Sequence, residues 1–146
     1  ELPVSQWIDA RHIDKQALVA AATLQTGTID QMPPLYSAKK INGQKAYAVA
    51  RKGGDIELKP APIEISAFDI GSVEARTIDG HAVVDVTAEI HCSKGTYIRA
   101  IARDLGKALE VGGHLVGLRR TRSGAYSIDA CKPLTDVLSA IEATPI

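Results

Sequence analysis

The chain has 146 residues, 45% of them hydrophobic and 23% charged, with 17 basic and 17 acidic side chains and a net charge of zero. That is the make-up of one soluble globular domain, and it excludes collagenous, disordered and disulfide-stapled chains. No apolar run reaches the length of a membrane span, and no signal or lipidation motif is present. Cys92 and Cys131 stand 39 positions apart without a CxxC pair, so a reduced chain with buried or idle thiols is expected.

Residues 1–12 read as irregular, with Trp7 and Ile8 packing on whatever precedes them. Asp14 is placed to cap a helix that runs to about Leu24 and stops at Thr26-Gly27. Thr28 to Ala38 reads as extended, because Pro33-Pro34 excludes helix. Gln44 to Arg51 reads as a short helix ended by Gly53-Gly54. Ile63, Ile65 and Ala67 alternate with Glu64 and Ser66 as a strand, and Ile78-Asp79-Gly80-His81 is a hairpin turn. The return strand, Ala82 to Cys92, has Val84, Val86, Ala88 and Ile90 on one face and Asp85, Thr87, Glu89 and His91 on the other. One of the neighbours His91 and Cys92 should therefore be a surface imidazole and the other a core thiol.

A glycine turn at Ser93-Lys94-Gly95-Thr96 then leads into a helix that runs to about Leu109. Ile98, Ile101, Ala102, Leu105 and Leu109 form its apolar stripe, and Arg99, Arg103 and Lys107 a basic ridge beside it. Leu115 to Tyr126 reads as a strand interrupted at Gly124, and Pro133 leads a last helix through Ile141. The fold class is α+β, mainly antiparallel sheet with flanking helices.

Zero net charge hides clustering. Residues 31–53 carry five basic side chains and no acid, residues 91–124 carry seven against two acids, and each stretch is +5 while the remainder is −10. Such surfaces suit a polyanion, and a solvated charged face is the plain alternative. Three familiar spacings lack their partners. Tyr36 and Lys40 have no dinucleotide turn, Ser37-Ala38-Lys39-Lys40 has no second acylase motif, and Ser93-Lys94-Gly95-Thr96 has no glycine-rich lead-in. His81, His91, His114 and the cysteines have no metal-ligand spacing. Tyr97 and Arg99 at a helix start favour an anion. Taken one by one, the residues support an anion-binding or nucleic-acid-binding domain.

Three blocks carry a more specific resemblance. Gln31-Met32-Pro33-Pro34-Leu35-Tyr36-Ser37-Ala38-Lys39-Lys40-Ile41-Asn42-Gly43, with Ala46-Tyr47 and Ala50-Arg51-Lys52-Gly53, resembles one signature of the TruB family of tRNA pseudouridine synthases. His91 to Gly106 resembles a second, and Gly112 to Gly124 a third. The resemblance implies an enzyme that isomerises uridine 55 in the tRNA T-loop to pseudouridine, with no metal and no organic cofactor. By this resemblance Tyr97 lines the uracil pocket, Arg99 pairs with the catalytic aspartate, and Leu118 packs against the base. Residues 31–62 are the thumb insertion that clamps the RNA, with Lys39, Lys40, Lys45, Arg51 and Lys52 on its phosphates. Lys94, Arg103, Arg119 and Arg120 are the further RNA contacts.

One departure matters. The family's nucleophilic aspartate lies in a Gly-His-x-Gly-x-Leu-Asp-Pro motif, which this sequence does not contain. Residues 1–146 are therefore expected to be the C-terminal portion of the catalytic domain, without a separate C-terminal RNA-binding domain. The chain should be monomeric, cytoplasmic and inactive alone. Its partners would be the tRNA T-arm and an N-terminal fragment of the same protein that carries the aspartate. A non-catalytic RNA-binding module or degenerate paralogue is the alternative. A structural interaction domain, with no salt-dependent tRNA affinity, is a third.

Overall fold

Asp14 starts the first element as expected. In the computed structural model, which describes residues 6–34, 40–41, 44–45 and 58–142, its Oδ1 accepts the Ala17 N–H at 2.8 Å. That cap opens α1 (Lys15–Leu24), whose Leu18, Ala21 and Ala22 are buried. Gly27, at φ +103°, turns the chain into β1 (Gly27–Gln31).

β1 pairs with the long strand β4 (Ala61–Ile78), and β4 with β5 (His81–Cys92), giving an antiparallel sheet in the order β1-β4-β5. The hairpin between β4 and β5 has both turn residues at positive φ, Asp79 at 50° and Gly80 at 79°. That is the pattern whose twist matches the flanking strands. The strand expected around Ile63 to Ala67 is longer than its alternation shows: β4 continues to the hairpin through two bulges. Ile65 pairs with Cys92 but Ala67 with His91, and Ile70 pairs with Ala88 but Val73 with Val86. Each shift adds one residue to β4, so simple alternation fails there. Thr87 latches the second bulge, since its Oγ1 accepts the Ser72 N–H at 2.8 Å. Lys15 Nζ donates to the Gly71 carbonyl at 2.8 Å, which ties α1 to the same bulge.

The core is a small cluster of Ile63, Ile65 and Ile101, with Ile29, Phe68, Ile90 and Ile98 packed around it. Ile101 comes from α2 (Ile98–Ala108), which starts just past β5. A fully buried isoleucine stabilises by about 1.5–3 kcal/mol, so these few side chains fix where α2 sits on the sheet. The expected apolar face of β5 is not buried: Val84, Val86 and Ile90 are half-exposed and Ala88 is exposed. β5 is an edge strand, and of these four only Ile90 joins the cluster around Ile65.

Other expectations change as well. Trp7 stacks on His81 across the chain (ring centroids 4.6 Å apart, planes within 5°), while Ile8 is exposed. The neighbouring Ala10 N–H donates to the Ala82 carbonyl, so the N-terminal residues pack on the later hairpin tip. Cys92 is exposed, because it ends the edge strand, and Cys131 is an exposed thiol too. His91 is on the surface, as one of the two neighbours was expected to be. Gln44 does not begin a helix. Lys40–Ile41 (β2) pairs with Gln44–Lys45 (β3), Lys40 opposite Lys45 and Ile41 opposite Gln44. Asn42-Gly43 between them is a dipeptide that favours two-residue hairpins over helix. The rest of that expected helix, 46–51, lies outside the described residues.

The chain divides into two units, Glu1–Leu115 and Val116–Ile146. Within the second, the strand expected over Leu115 to Tyr126 is only a tight hairpin, β6 (Arg122–Ser123) with β7 (Tyr126–Ser127). Gly124, at φ +58°, turns the chain at that point. Residues 116–121 precede it without regular structure. The last helix, α3 (Leu134–Glu142), forms after Pro133 as expected. Among the described residues, no helix is long and apolar enough to cross a membrane.

Candidate functional site

The end of β5 is where the sheet passes its order to α2. Ser93 continues the ladder beyond Cys92: its N–H donates to the Glu64 carbonyl at 2.8 Å, and its Oγ accepts the Glu64 N–H at 2.9 Å. Thr96 Oγ1 then donates back to the Ser93 carbonyl at 2.8 Å. Gly95 between them is at φ +84°, a conformation that costs a side-chain-bearing residue. The turn is thus closed by two hydroxyls and one glycine, and it delivers Tyr97 to the N-cap of α2.

Tyr97 cannot cap the helix through its own side chain. Its carbonyl accepts from Ala100 and Ile101 at 3.0 and 3.2 Å. Its N–H, which has no partner inside the helix, donates to Gln31 Oε1 at 2.8 Å. The same amide returns the bond, Gln31 Nε2 donating to the Tyr97 carbonyl at 3.2 Å. Gln31 is only 3% exposed, the single buried polar residue among those described. A cleft of about 180 Å³ opens here, lined by Gln31, Pro33, Ala61, Ile63, Gly95 and Tyr97. It lies below the ~300 Å³ at which pockets for drug-sized ligands begin.

Cations surround this turn. Lys94 and Arg99 are exposed, and no acid stands in the first turn of α2, so the helix dipole and the side chains share one sign. Arg103 is differently placed. Its Nε and Nη2 donate to Asp104 at 2.7 and 3.0 Å, and Nη2 also donates to the Met32 carbonyl at 2.9 Å. It therefore ties α2 to the residue next to Gln31.

The structure brings Lys94, Tyr97, Arg99 and Arg103 together on one turn and helix. Leu118, 62% exposed, and Arg119 and Arg120, both exposed, belong to the unit Val116–Ile146. Lys40 and Lys45 stand opposite each other in the β2–β3 pair, and Lys39, Arg51 and Lys52 lie outside the described residues. Sequence reasoning missed Gln31 as a site residue. Its signal was its place at the head of the first signature block, where one polar residue ends a strand beside Met32-Pro33-Pro34.

The model of the TruB family pseudouridylate synthase N-terminal domain matches residues 3–98, and that of the tRNA pseudouridylate synthase B C-terminal domain matches residues 99–144. The tRNA pseudouridine synthase B of Paenarthrobacter aurescens (strain TC1) is 45% identical over 133 residues, covering 91% of this chain and 42% of that protein. The same-named protein of Mycobacteroides abscessus is 46% identical over 134 residues, 92% of this chain and 44% of the relative. That of Thermobifida fusca (strain YX) is 42% identical over 137 residues, 94% of this chain and 47% of the relative. The chain thus spans less than half the length of the relatives it matches. The boundary between the two matched models falls between Ile98 and Arg99, at the start of α2; the chain belongs to the TruB family of pseudouridylate synthases.

Proposed function

We propose that this chain supplies part of the active site and much of the RNA-binding surface of a tRNA pseudouridine synthase acting in the cytoplasm on uridine 55 of the T-loop. The observation that carries this reading is the rigidly held Tyr97 N-cap, with Arg99 two residues on, in a chain of this family. The target base must leave its stack to be reached, at a cost of a few kcal/mol. Backbone contacts from Lys94, Arg119, Arg120 and the basic residues of 31–62 offset that cost. Residues 31–62 act as the clamp. Tyr97 lines the uracil pocket and Leu118 packs on the base.

The isomerisation breaks the C1′–N1 bond, rotates the uracil and joins C1′ to C5. N1 gains a proton and C5 releases one, so the formula is unchanged. The nucleophile is an aspartate from a Leu-Asp-Pro segment that this sequence does not contain. Arg99 keeps that carboxylate ionised and oriented, since a guanidinium beside a carboxyl lowers its pKa.

The test is tritium release from 5-tritiated uridine in tRNA. The pure 146-residue chain should release none, and a polypeptide carrying the Leu-Asp-Pro motif should restore turnover when added. Release by the chain alone would overturn the assignment of the nucleophile. Salt-dependent tRNA binding with no turnover in either arrangement would favour a non-catalytic RNA-binding module.

A further inference from the structure

We propose that Gln31 is the positioning residue for Tyr97, the device that fixes the pocket tyrosine in place. The proposal rests on reading Tyr97 as the uracil-pocket residue and deepens that reading. Gln31 ends β1 and Tyr97 opens α2, 66 residues later, yet the two are joined by a reciprocal pair of hydrogen bonds. The Gln31 amide accepts the Tyr97 N–H and donates to the Tyr97 carbonyl. Both sides of one α-carbon are thereby held by one side chain. Of the uncharged side chains that reach this far, a carboxamide presents a donor and an acceptor side by side.

Burial makes the pairing more than incidental. Gln31 is 3% exposed and lies in the wall of the cleft that Tyr97 also lines. An apolar residue there would extend the apolar wall that Ile63 gives the cleft. A buried amide is tolerated because both its polar atoms are engaged. The tie is also doubled, since the next peptide, at Met32, is held by Arg103 from further along α2. The start of segment 31–62 is therefore fastened to the tyrosine and to the helix behind it. Loss of Gln31 would release the Tyr97 peptide at the start of α2. A displacement of about 1 Å in such a group is enough to lower turnover about a hundredfold.

Two substitutions test this. Gln31→Met removes both bonds while keeping the volume. Gln31→Glu keeps the shape but responds to pH: a neutral carboxylic acid both accepts and donates, whereas a carboxylate only accepts and faces the Tyr97 carbonyl with a lone pair. In the full 146-residue chain, the Tyr97 amide should exchange with solvent faster in Gln31→Met at every pH. In Gln31→Glu its protection should return towards wild type as pH falls from about 8 to about 5, spanning the range of a raised glutamate pKa. Turnover, with the Leu-Asp-Pro polypeptide added, should follow the same pattern. A kcat loss of about tenfold or more is expected for Gln31→Met, with KM for tRNA within about twofold. A purely structural glutamine would lower stability without the acid recovery, and its turnover loss would vanish on cooling below the unfolding transition. Either of those outcomes overturns the proposal, as does unchanged exchange at Tyr97. If the wild type shows no turnover in any arrangement, the synthase reading fails. The Tyr97 exchange profile then still decides whether Gln31 positions that residue.

Discussion

Gly106 and Gly113 meet backbone to backbone where α2 ends. A Cβ on Gly106 would stand 2.3 Å from the Gly113 nitrogen and 2.1 Å from the Gly112 carbonyl carbon, and one on Gly113 would stand 2.6 Å from the Ala102 carbonyl oxygen. The Gly106 carbonyl accepts N–H groups from Val111 and Gly112 at 3.1 and 3.0 Å, so the loop is bound to the helix it leaves. No side-chain rotation can relieve such a contact.

Gly106→Ala should therefore cost about 3 kcal/mol, at the upper end for overpacking, because the obstruction is main chain. Gly117→Ala is the control: its added Cβ meets nothing within 4 Å. Its effect should stay within about 0.5 kcal/mol. Urea unfolding of the two variants, compared with wild type, checks both.

The cations of the site should separate by partner. Lys94 is exposed at the turn, whereas the Arg103 charge is offset by Asp104. Lys94→Ala should lower the slope of log K against log salt for tRNA by about 1. Arg103→Ala should leave that slope near wild type while lowering stability by about 1 kcal/mol, since it breaks bonds to Asp104 and Met32. Equal slopes for Lys94→Ala and wild type would remove Lys94 from the phosphate surface.

Much of this frame was legible because its determinants are local. Asp14 caps α1, Asp79-Gly80 turns the hairpin, and Ile98, Ile101 and Leu105 mark α2. The rest depends on residues far apart in the chain. The bulges in β4 are set by register against β5, and no repeat within β4 reveals them. Exposure of Cys92 follows from β5 lying at the sheet edge. The signature blocks pointed to Tyr97 and Arg99, but Gln31 holds Tyr97 through its peptide, and a side-chain-to-backbone bond across 66 residues leaves no periodic trace.

Among the described residues, the Asp9 carboxylate is displaced clearly from its ordinary titration. Its hydrogen bonds from the Arg11 side chain, joined by the Arg11 N–H at 2.9 Å, hold its pKa down at about 2. A depressed folded pKa stabilises above the unfolded aspartate value of about 3.9, and this contribution is lost as pH falls through about 2. Both side chains are well exposed, so the effect on unfolding should be slight. NMR titration should find the Asp9 midpoint near 2 in wild type, and near 3.9 in Arg11→Ala. An unchanged midpoint in that variant would remove Arg11 as the cause.

Arg99→Lys separates pocket chemistry from RNA attraction. Lysine keeps the positive charge at the start of α2 but loses the planar fork that holds a carboxylate in two places. Electrostatic attraction for phosphates should survive, so the tRNA dissociation constant should stay within about twofold. Orientation of the aspartate should not survive, and kcat with the Leu-Asp-Pro polypeptide present should fall about tenfold or more. Equal losses in binding and turnover would place Arg99 on the phosphate-contacting surface instead of beside the reacting base.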